Sequence, residues 1–495
     1  MAGIGFELRK LFIGRGVIRK LRAYAFAGII CSGTMLLAIL LLLGVQGLAD
    51  AFGANREQRD VLVSVIVYAL FISMLLTSIF QTFLTRYVAD MLYQGKNEKI
   101  IPSLIGASLV LMVPGGVLFG WMISTADALS PLEKALGWTL FMELVPTWLQ
   151  MSYITAAKDY RSILAVFALG VALALGLGVG LLMLGIGPIT ALMSALVVGY
   201  GVMLSGFMKV LLHYFPVGSG SAFSFIGWLS RTPDLLLTGF LGMAGVFVHI
   251  VVMWFSPLGM SVTGVFRQAS TFDAAAFYAF LVTIPTNINF IVSVEVNFYS
   301  KYRKYFDSIV SGGSVGQIQI SRDAMITVLR QEIIKLSEVQ VFFMAAYVIL
   351  MRYFLASIGF TSDMIVMVQV MAVGYSAFCL GNCLMLLQLY FNDRMGALMT
   401  SAVFFTVNTL VSLWTLHAPP LYYGVGIAAA GIVMYVIALL RLMLFIRQID
   451  YQVFCSQPVI NSQDPGFWMR LAGRLDARAE QSSRKKHTVN GTRAA

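Results

Sequence analysis

The sequence predicts an all-α polytopic membrane protein with twelve transmembrane helices in two six-helix halves and both termini cytoplasmic. Three observations carry that prediction. Of the 495 residues, 59% are apolar and 12% charged, against about a quarter charged in soluble domains. Apolar stretches of about 20 residues, the length that crosses the hydrocarbon core, recur from end to end. Lysine and arginine then gather on alternate connections, as a fixed orientation in a membrane requires. The composition excludes a disordered chain, a secreted disulfide scaffold and an ordinary soluble enzyme.

Taken in order, the N-terminal half (23–212) holds spans at 23–49, 61–84, 102–123, 135–157, 162–185 and 188–212. The C-terminal half (235–447) holds spans at 235–255, 272–298, 338–358, 364–391, 395–416 and 421–447. Backbone groups find no water in lipid, so each span is read as a helix. No series of ten-residue alternating segments suggests a barrel instead. The first run follows a basic stretch and precedes Ala49-Asp50-Ala51, which imitates a cleavage site. Its 27 residues exceed the roughly 7–15 of a signal peptide's apolar region, so it is read as an uncleaved span.

With the basic segment 1–22 placed in the cytoplasm, 28 of the 34 Lys and Arg residues lie on that side. Arg56, Arg59, Lys134 and Arg267 lie outside, and Arg352 and Arg441 fall within spans. One missed or extra span would invert every later connection and destroy the split, which is what sets the count at twelve. The net charge of +11 therefore points to topology and the anionic surface of a lipid bilayer, not to nucleic acid.

Three connections stand out. Residues 213–234 carry Phe223, Phe225, Ile226, Trp228 and Leu229 among small polar residues, the pattern of a linker lying on the cytoplasmic interface. The loop 299–337 opens on a basic, aromatic run, turns at Ser311-Gly312-Gly313-Ser314, and then repeats apolar residues near helical spacing from Ile320 to Leu336. It is read as a helical hairpin or an extension of two spans. Its 39 residues far exceed what joining two helices needs. A docking surface for a cytoplasmic partner follows, with Tyr302, Arg303, Val328, Leu329 and Ile333 as its contacts. The tail 448–495 is basic and poor in apolar residues, a cytoplasmic extension expected to be partly disordered.

No catalytic constellation is present. The four histidines are scattered, and there is no HExxH, Walker loop or GxSxG. No spacing calls for a metal or another cofactor. Cys379 and Cys383 share a helix face at i,i+4 and are read as reduced, structural thiols. Gly116/Gly120 and Gly176/Gly180 offer small faces for close helix packing. Ionisable groups inside spans are costly, so each is a site candidate. In the fourth span Thr139, Glu143, Thr147 and Gln150 share one face, and Pro146 interrupts the same helix. The eighth span carries Asp273, Pro285, Asn287, Asn289, Glu295 and Asn297, whose amides and carboxylates suit hydroxyl-rich ligands. The substrate-path candidates are thus Thr139, Glu143, Thr147, Gln150, Asn287, Asn289 and Glu295. The blander reading is interhelical hydrogen bonding, with Glu295 reaching water at the span's end. Arg352 and Arg441 are expected to snorkel, and His249 to be a hydrogen-bonded structural imidazole. Asn382, Gln388, Asn408, Gln81 and Gln369 are expected to bond between helices.

The opening Met1-Ala2-Gly3-Ile4-Gly5-Phe6-Glu7-Leu8-Arg9-Lys10-Leu11, Phe26-Ala27-Gly28 in the first span, and the long loop after the eighth span resemble the Pel exopolysaccharide inner-membrane transport proteins, the PelG family. The resemblance covers the twelve-span layout and leaves out the C-terminal tail. It implies a bacterial inner-membrane protein of the multidrug/oligosaccharidyl-lipid/polysaccharide exporter class. It implies a synthase complex with a cytoplasmic glycosyltransferase, PelF, and the membrane proteins PelD and PelE, under control by cyclic di-GMP acting on PelD. The polymer implied is rich in N-acetylgalactosamine. From the residues alone, a flippase for lipid-linked oligosaccharide, a drug antiporter, a non-conducting scaffold for a glycosyltransferase, and an intramembrane transferase with Glu143 or Glu295 as base stay open.

Overall fold

A computed structural model describes residues 17–157, 159–218 and 221–455, together with Arg470 and Arg474. The N-terminal string 1–11, Lys158 and almost all of the tail lie outside the described residues. Among the described residues the chain is helical except for a short hairpin, β1 (Met260–Thr263) with β2 (Phe266–Gln268). Gly264 makes its turn at φ +51°, a value that favours glycine, and a Cβ there would lie 2.1 Å from the Thr125 carbonyl oxygen.

Contact clustering divides the chain into two units. Of the described residues, one contains those within 37–243 and 262–266; the other contains those within 17–36, 244–261 and 267–455. The divisions fall inside α1 (Val17–Ala51) and α7 (Pro233–Trp254), not in the polar break 213–234.

The unit around Leu37–Met243 is built from α2 (Arg56–Tyr93), α3 (Ile100–Ser124), α4 (Pro131–Ala157), α5 (Tyr160–Met183) and α6 (Pro188–Tyr214). Asn55 and Gln58 form a capping box at the start of α2, and Asp159 caps α5 by accepting from Ser162 N; each satisfies amides that a helix start leaves unpaired. Helix α4 packs against α2, α3 and α6. Phe141 stacks on Phe119 at 4.6 Å, Trp148 Nε1 donates to Ser73 Oγ, and Tyr153 meets Ser103 across the core. Gly116 and Gly120 receive Met142 and Trp138 of α4, as their spacing suggested. Gly176 and Gly180 meet nothing, and the close approach of α5 to α6 is made instead by Gly170 and Gly199. The segment expected to lie on the interface is a 3₁₀ turn, Ser224–Ser230, with Phe225, Ile226 and Leu229 buried. Phe225 sits between Phe80 and Phe83, and Trp228 lies edge-on to Tyr87. Its buried apolar residues thus have protein partners.

The other unit centres on α12 (Ser362–Tyr390) and α14 (Val425–Arg447), flanked by α13 (Arg394–Thr415). Gly374 and Gly431 bring α12 and α14 together: a Cβ on Gly431 would lie 2.3 Å from the Gly374 oxygen. The eighth span is broken. Helix α8 (Ser270–Phe280) gives way to a 3₁₀ turn, Leu281–Thr283, then α9 (Ile284–Val292), then a π segment, Ser293–Phe298. Pro285 stands in the first turn of α9, where its missing amide hydrogen is tolerated. After the π segment, α10 (Tyr299–Val310) and α11 (Val315–Ser357) form a helical hairpin whose second arm runs 43 residues without interruption. Ser314 and Gln317 make a capping box at its start. The chain ends its described course in α15 (Ile449–Phe454).

Among the described residues, eleven helical segments are long and apolar enough to cross a membrane. Helix α4 is the expected span missing from that set. It is 27 residues long, but Glu143, Thr147, Gln150 and Ser152 lower its apolarity.

Candidate functional site

Two groups of polar side chains answer to the sequence candidates, one in each unit. On α4, Thr147 is fully buried and its hydroxyl donates to the Glu143 carbonyl oxygen at 2.7 Å. Thr139 is half-buried and donates to the Ala135 oxygen at 2.9 Å. Both hydroxyls are therefore spent on their own helix, as mid-helix threonines often are. Glu143 and Gln150 differ. Glu143 Oε2 and Gln150 Oε1 are buried atoms with no hydrogen-bond partner, and Gln150 is 1% exposed. Glu143 lies against α6 where Gly201 leaves room; a Cβ there would sit 3.2 Å from Glu143 Oε1. Buried acceptors are normally paired, and these two are not.

The second group lies on the broken span. Asn287 Oδ1 accepts from the Cys379 thiol at 3.4 Å, a weak donor. Asn289 is half-buried, and Ile288 between them packs on Gly28 of α1. Glu295 falls in the π segment, and its side chain lies outside the described set. Thr286, fully buried, has an unpaired hydroxyl, as does Ser376 of α12. Asn297 Nδ2 donates to Glu332 Oε1 at 2.8 Å, and Gln340 Nε2 to the Val282 oxygen at 3.3 Å. Glu332 Oε2 and Gln340 Oε1 have no partner. Sequence reasoning singled out none of Thr286, Glu332, Gln340 and Ser376. The signal available was the four-residue spacing of Glu332, Leu336 and Gln340 on one helix face.

Several of the remaining intramembrane polar groups make structural bonds. His249 is buried with Nε2 2.9 Å from Tyr375 Oη and Nδ1 3.2 Å from Asn408 Nδ2. Asn408 Nδ2 also donates to the Gly245 oxygen at 2.7 Å. The amide nitrogen is a donor, so Nδ1 accepts and the ring proton sits on Nε2, facing Tyr375. Gln388 donates to the Ala438 oxygen and Gln369 to the Val348 oxygen. Asn382 is half-buried, and Gln81 is exposed. Asp273 is held by Trp254 Nε1 and the Ala269 amide. Arg352 is exposed. Arg441 is a correction: Nε and Nη2 each reach Asp393 at 2.8 Å in a bidentate pair. Its partner lies 48 residues earlier in sequence, out of reach of a pattern argument. Cys379 and Cys383 are buried free thiols, and Cys455 is exposed.

The expected docking residues are placed differently from one another. Arg303 is exposed and pairs with Asp307. Tyr302 is half-buried against Tyr390, Phe391 and Phe306. Leu329 is buried in the hairpin's own core with Phe298, Tyr305, Met325 and Leu442, and Ile333 packs on that core. Leu329 therefore packs α11 on its neighbours, while Val328 and Ile333 are half-buried and Ile320 at the start of the stripe is exposed.

Among the described residues no group of three or more His, Cys, Asp or Glu is placed to hold a metal. The pattern of the PelG family, described as a putative exopolysaccharide exporter (EPS-E), matches residues 1–454. No curated protein matches the chain. Among solved structures, a MOP-superfamily transporter from Pyrococcus furiosus is 12% identical, with a TM-score of 0.58 over 91% of this chain and 99% of its own. A MATE-family multidrug resistance transporter of the MOP superfamily in an outward-facing conformation is 14% identical, with a TM-score of 0.57 over 91% and 99%. One in an inward-facing conformation is 13% identical, with a TM-score of 0.55 over 83% and 95%. The chain shares the fold of these MOP-superfamily structures. Long apolar helices make the chain a multi-pass membrane protein, and a helical design instead of a barrel places it in the inner membrane.

Proposed function

Because the chain belongs to the PelG family of putative exopolysaccharide exporters, we propose that it carries an N-acetylgalactosamine-rich polysaccharide from cytoplasm to periplasm within a synthase complex. The observation that carries this reading is the family match over residues 1–454. In this reading the chain has twelve spans with both termini in the cytoplasm, α4 being the twelfth. PelF, the cytoplasmic glycosyltransferase, and the membrane proteins PelD and PelE are its partners, and no cofactor takes part.

The path residues are Glu143 and Gln150 on α4, and Asn287, Asn289 and Glu295 on the broken span. A carboxyl at a helix centre costs about 2.5–3.5 kcal/mol if it meets lipid. That cost falls where water or sugar hydroxyls supply donors. The unpaired oxygens of Glu143 and Gln150 support this, since a sugar chain offers many hydroxyl donors, each weakly held, to a ligand that must keep moving. Docking of the glycosyltransferase falls to the exposed face of the α10–α11 hairpin, around Arg303, with Val328, Leu329 and Ile333 holding the hairpin in shape.

Cysteines at 143, 150, 287, 289 and 295, placed after the native cysteines are replaced, should react with small water-soluble thiol reagents. Polymer export should fall in Glu143→Gln. Unreactive cysteines at all five positions with normal export would assign these groups to interhelical packing. The multidrug relatives make small-cation antiport the competing reading. Gradient-driven drug efflux by the purified protein, with no polymer export, would select it.

A further inference from the structure

Helix α11 reaches both interruptions of the eighth span from one face. Glu332, Leu336 and Gln340 are four residues apart and therefore stand in line. Glu332 accepts from Asn297 inside the π segment, and Gln340 donates to Val282 inside the 3₁₀ turn, while Leu336 between them is 4% exposed. Such non-α segments are the parts of a helix whose register changes at least cost, and π segments recur at functional sites for that reason.

The same helix is fixed at its other end. Tyr305 of α10 donates to Asp450 Oδ1 at 3.2 Å, and Arg322 of α11 pairs with Asp450 Oδ2. Met325, Leu329, Tyr305 and Ile449 share one buried core. Hairpin and α15 are therefore one packed body. From Gly316 onward α11 has neither glycine nor proline, so displacement of the hairpin is carried along a stiff rod of about 65 Å. Each positioning group also keeps a spare buried acceptor, Glu332 Oε2 and Gln340 Oε1, and Thr286 has an unpaired hydroxyl one turn beyond Val282. A small slide of α11 can thus exchange hydrogen-bond partners instead of only losing them.

We propose that Glu332 and Gln340 are positioning residues: they hold the two non-α segments of the eighth span and tie their conformation to the state of the α10–α11 hairpin. The proposal rests on reading Asn287, Asn289 and Glu295, which lie on and between those segments, as path residues. It means that whatever engages the hairpin sets the path.

Hydrogen exchange of the full chain in lipid nanodiscs reads the two segments without requiring transport. Glu332→Leu should speed amide exchange in 293–298 at least tenfold. Glu332→Gln, which keeps an acceptor for Asn297, should restore it to near wild type. Gln340→Leu should do the same in 281–286. Asp450→Asn, which touches neither segment, should speed exchange in 293–298 as well as in the hairpin. No change in Glu332→Leu, or an Asp450→Asn effect confined to 299–330, overturns the proposal. The labelling rate of Asn289→Cys separates it from the reading beneath it. Altered exchange with an unreactive cysteine supports the positioning role and removes the path; a reactive cysteine with unaltered exchange removes the positioning role alone.

Discussion

Replacing Arg441 with leucine should destabilise the C-terminal unit by about 2–3 kcal/mol. Asp393 is the reason. Its side chain is 4% exposed, and its two oxygens accept Arg441 Nε and Nη2 at 2.8 Å each. Oδ1 also accepts the Gly396 amide and so caps α13. Without the guanidinium, a buried carboxylate keeps one backbone donor. Breaking one half of a buried pair costs about 3–5 kcal/mol, but the Arg441 side chain is 39% exposed, so water reaches the site and the figure is lowered. Asp393→Asn should cost less, because an amide oxygen still accepts from Gly396 and a neutral group needs no counter-charge. The double variant should recover more than half of the Arg441→Leu loss, giving a coupling energy of about 1–2 kcal/mol in the cycle. Tryptophan-monitored thermal and denaturant unfolding in detergent measures all three variants. If Arg441→Leu is within about 0.5 kcal/mol of wild type, the arginine snorkels as its sequence position suggested, and the bidentate pair contributes nothing.

Other consequences are as direct. Burial first, and then the Asp450 charge, push the Tyr305 hydroxyl up to about 12. The folded state therefore favours the neutral phenol. That stabilisation is complete below the ordinary tyrosine value of about 10 and is lost as pH rises through 12, so alkaline release of the hairpin, followed by hydrogen exchange, should vanish in Tyr305→Phe. Gly374→Ala places a Cβ 2.6 Å from the Ala428 amide nitrogen and should cost about 1–3 kcal/mol as α12 and α14 move apart. Gly176→Ala meets nothing and should instead stabilise by about 0.5–1 kcal/mol in thermal unfolding, since glycine disfavours a helix interior.

Much of the fold was legible because the bilayer imposes length and apolarity on each helix separately. Pro285 announced the break in the eighth span, and Ser311-Gly312-Gly313-Ser314 announced the hairpin turn: Gly312 takes φ +70° and Ser314 caps α11. What the pattern could not carry was partnership. The aromatic residues of 213–234 read as an interfacial segment because nothing in sequence reveals Phe80, Phe83 and Tyr87 waiting for them. In the stripe from Ile320 to Leu336, periodicity marks an apolar side without saying that Met325, Leu329 and Leu336 are buried while Ile320 is exposed. The π segment at Ser293–Phe298 has no compositional sign at all.

The same limit decides which intramembrane polar groups deserve a functional reading. By type alone Arg441, His249 and Glu143 are equal: each is an ionisable side chain in a span. By partner they separate. Arg441 has Asp393, and His249 has a hydrogen-bond partner at each ring nitrogen. Both are complete, and a ligand would have to displace a bond already made. Glu143 and Gln150 keep buried oxygens that no protein donor reaches, and an unmet buried acceptor costs about 1–3 kcal/mol. Other buried oxygens share that state, Glu332 Oε2 and Gln340 Oε1 among them, so the unmet acceptors on α4 make Glu143 and Gln150 the residues on which the proposed path is tested first.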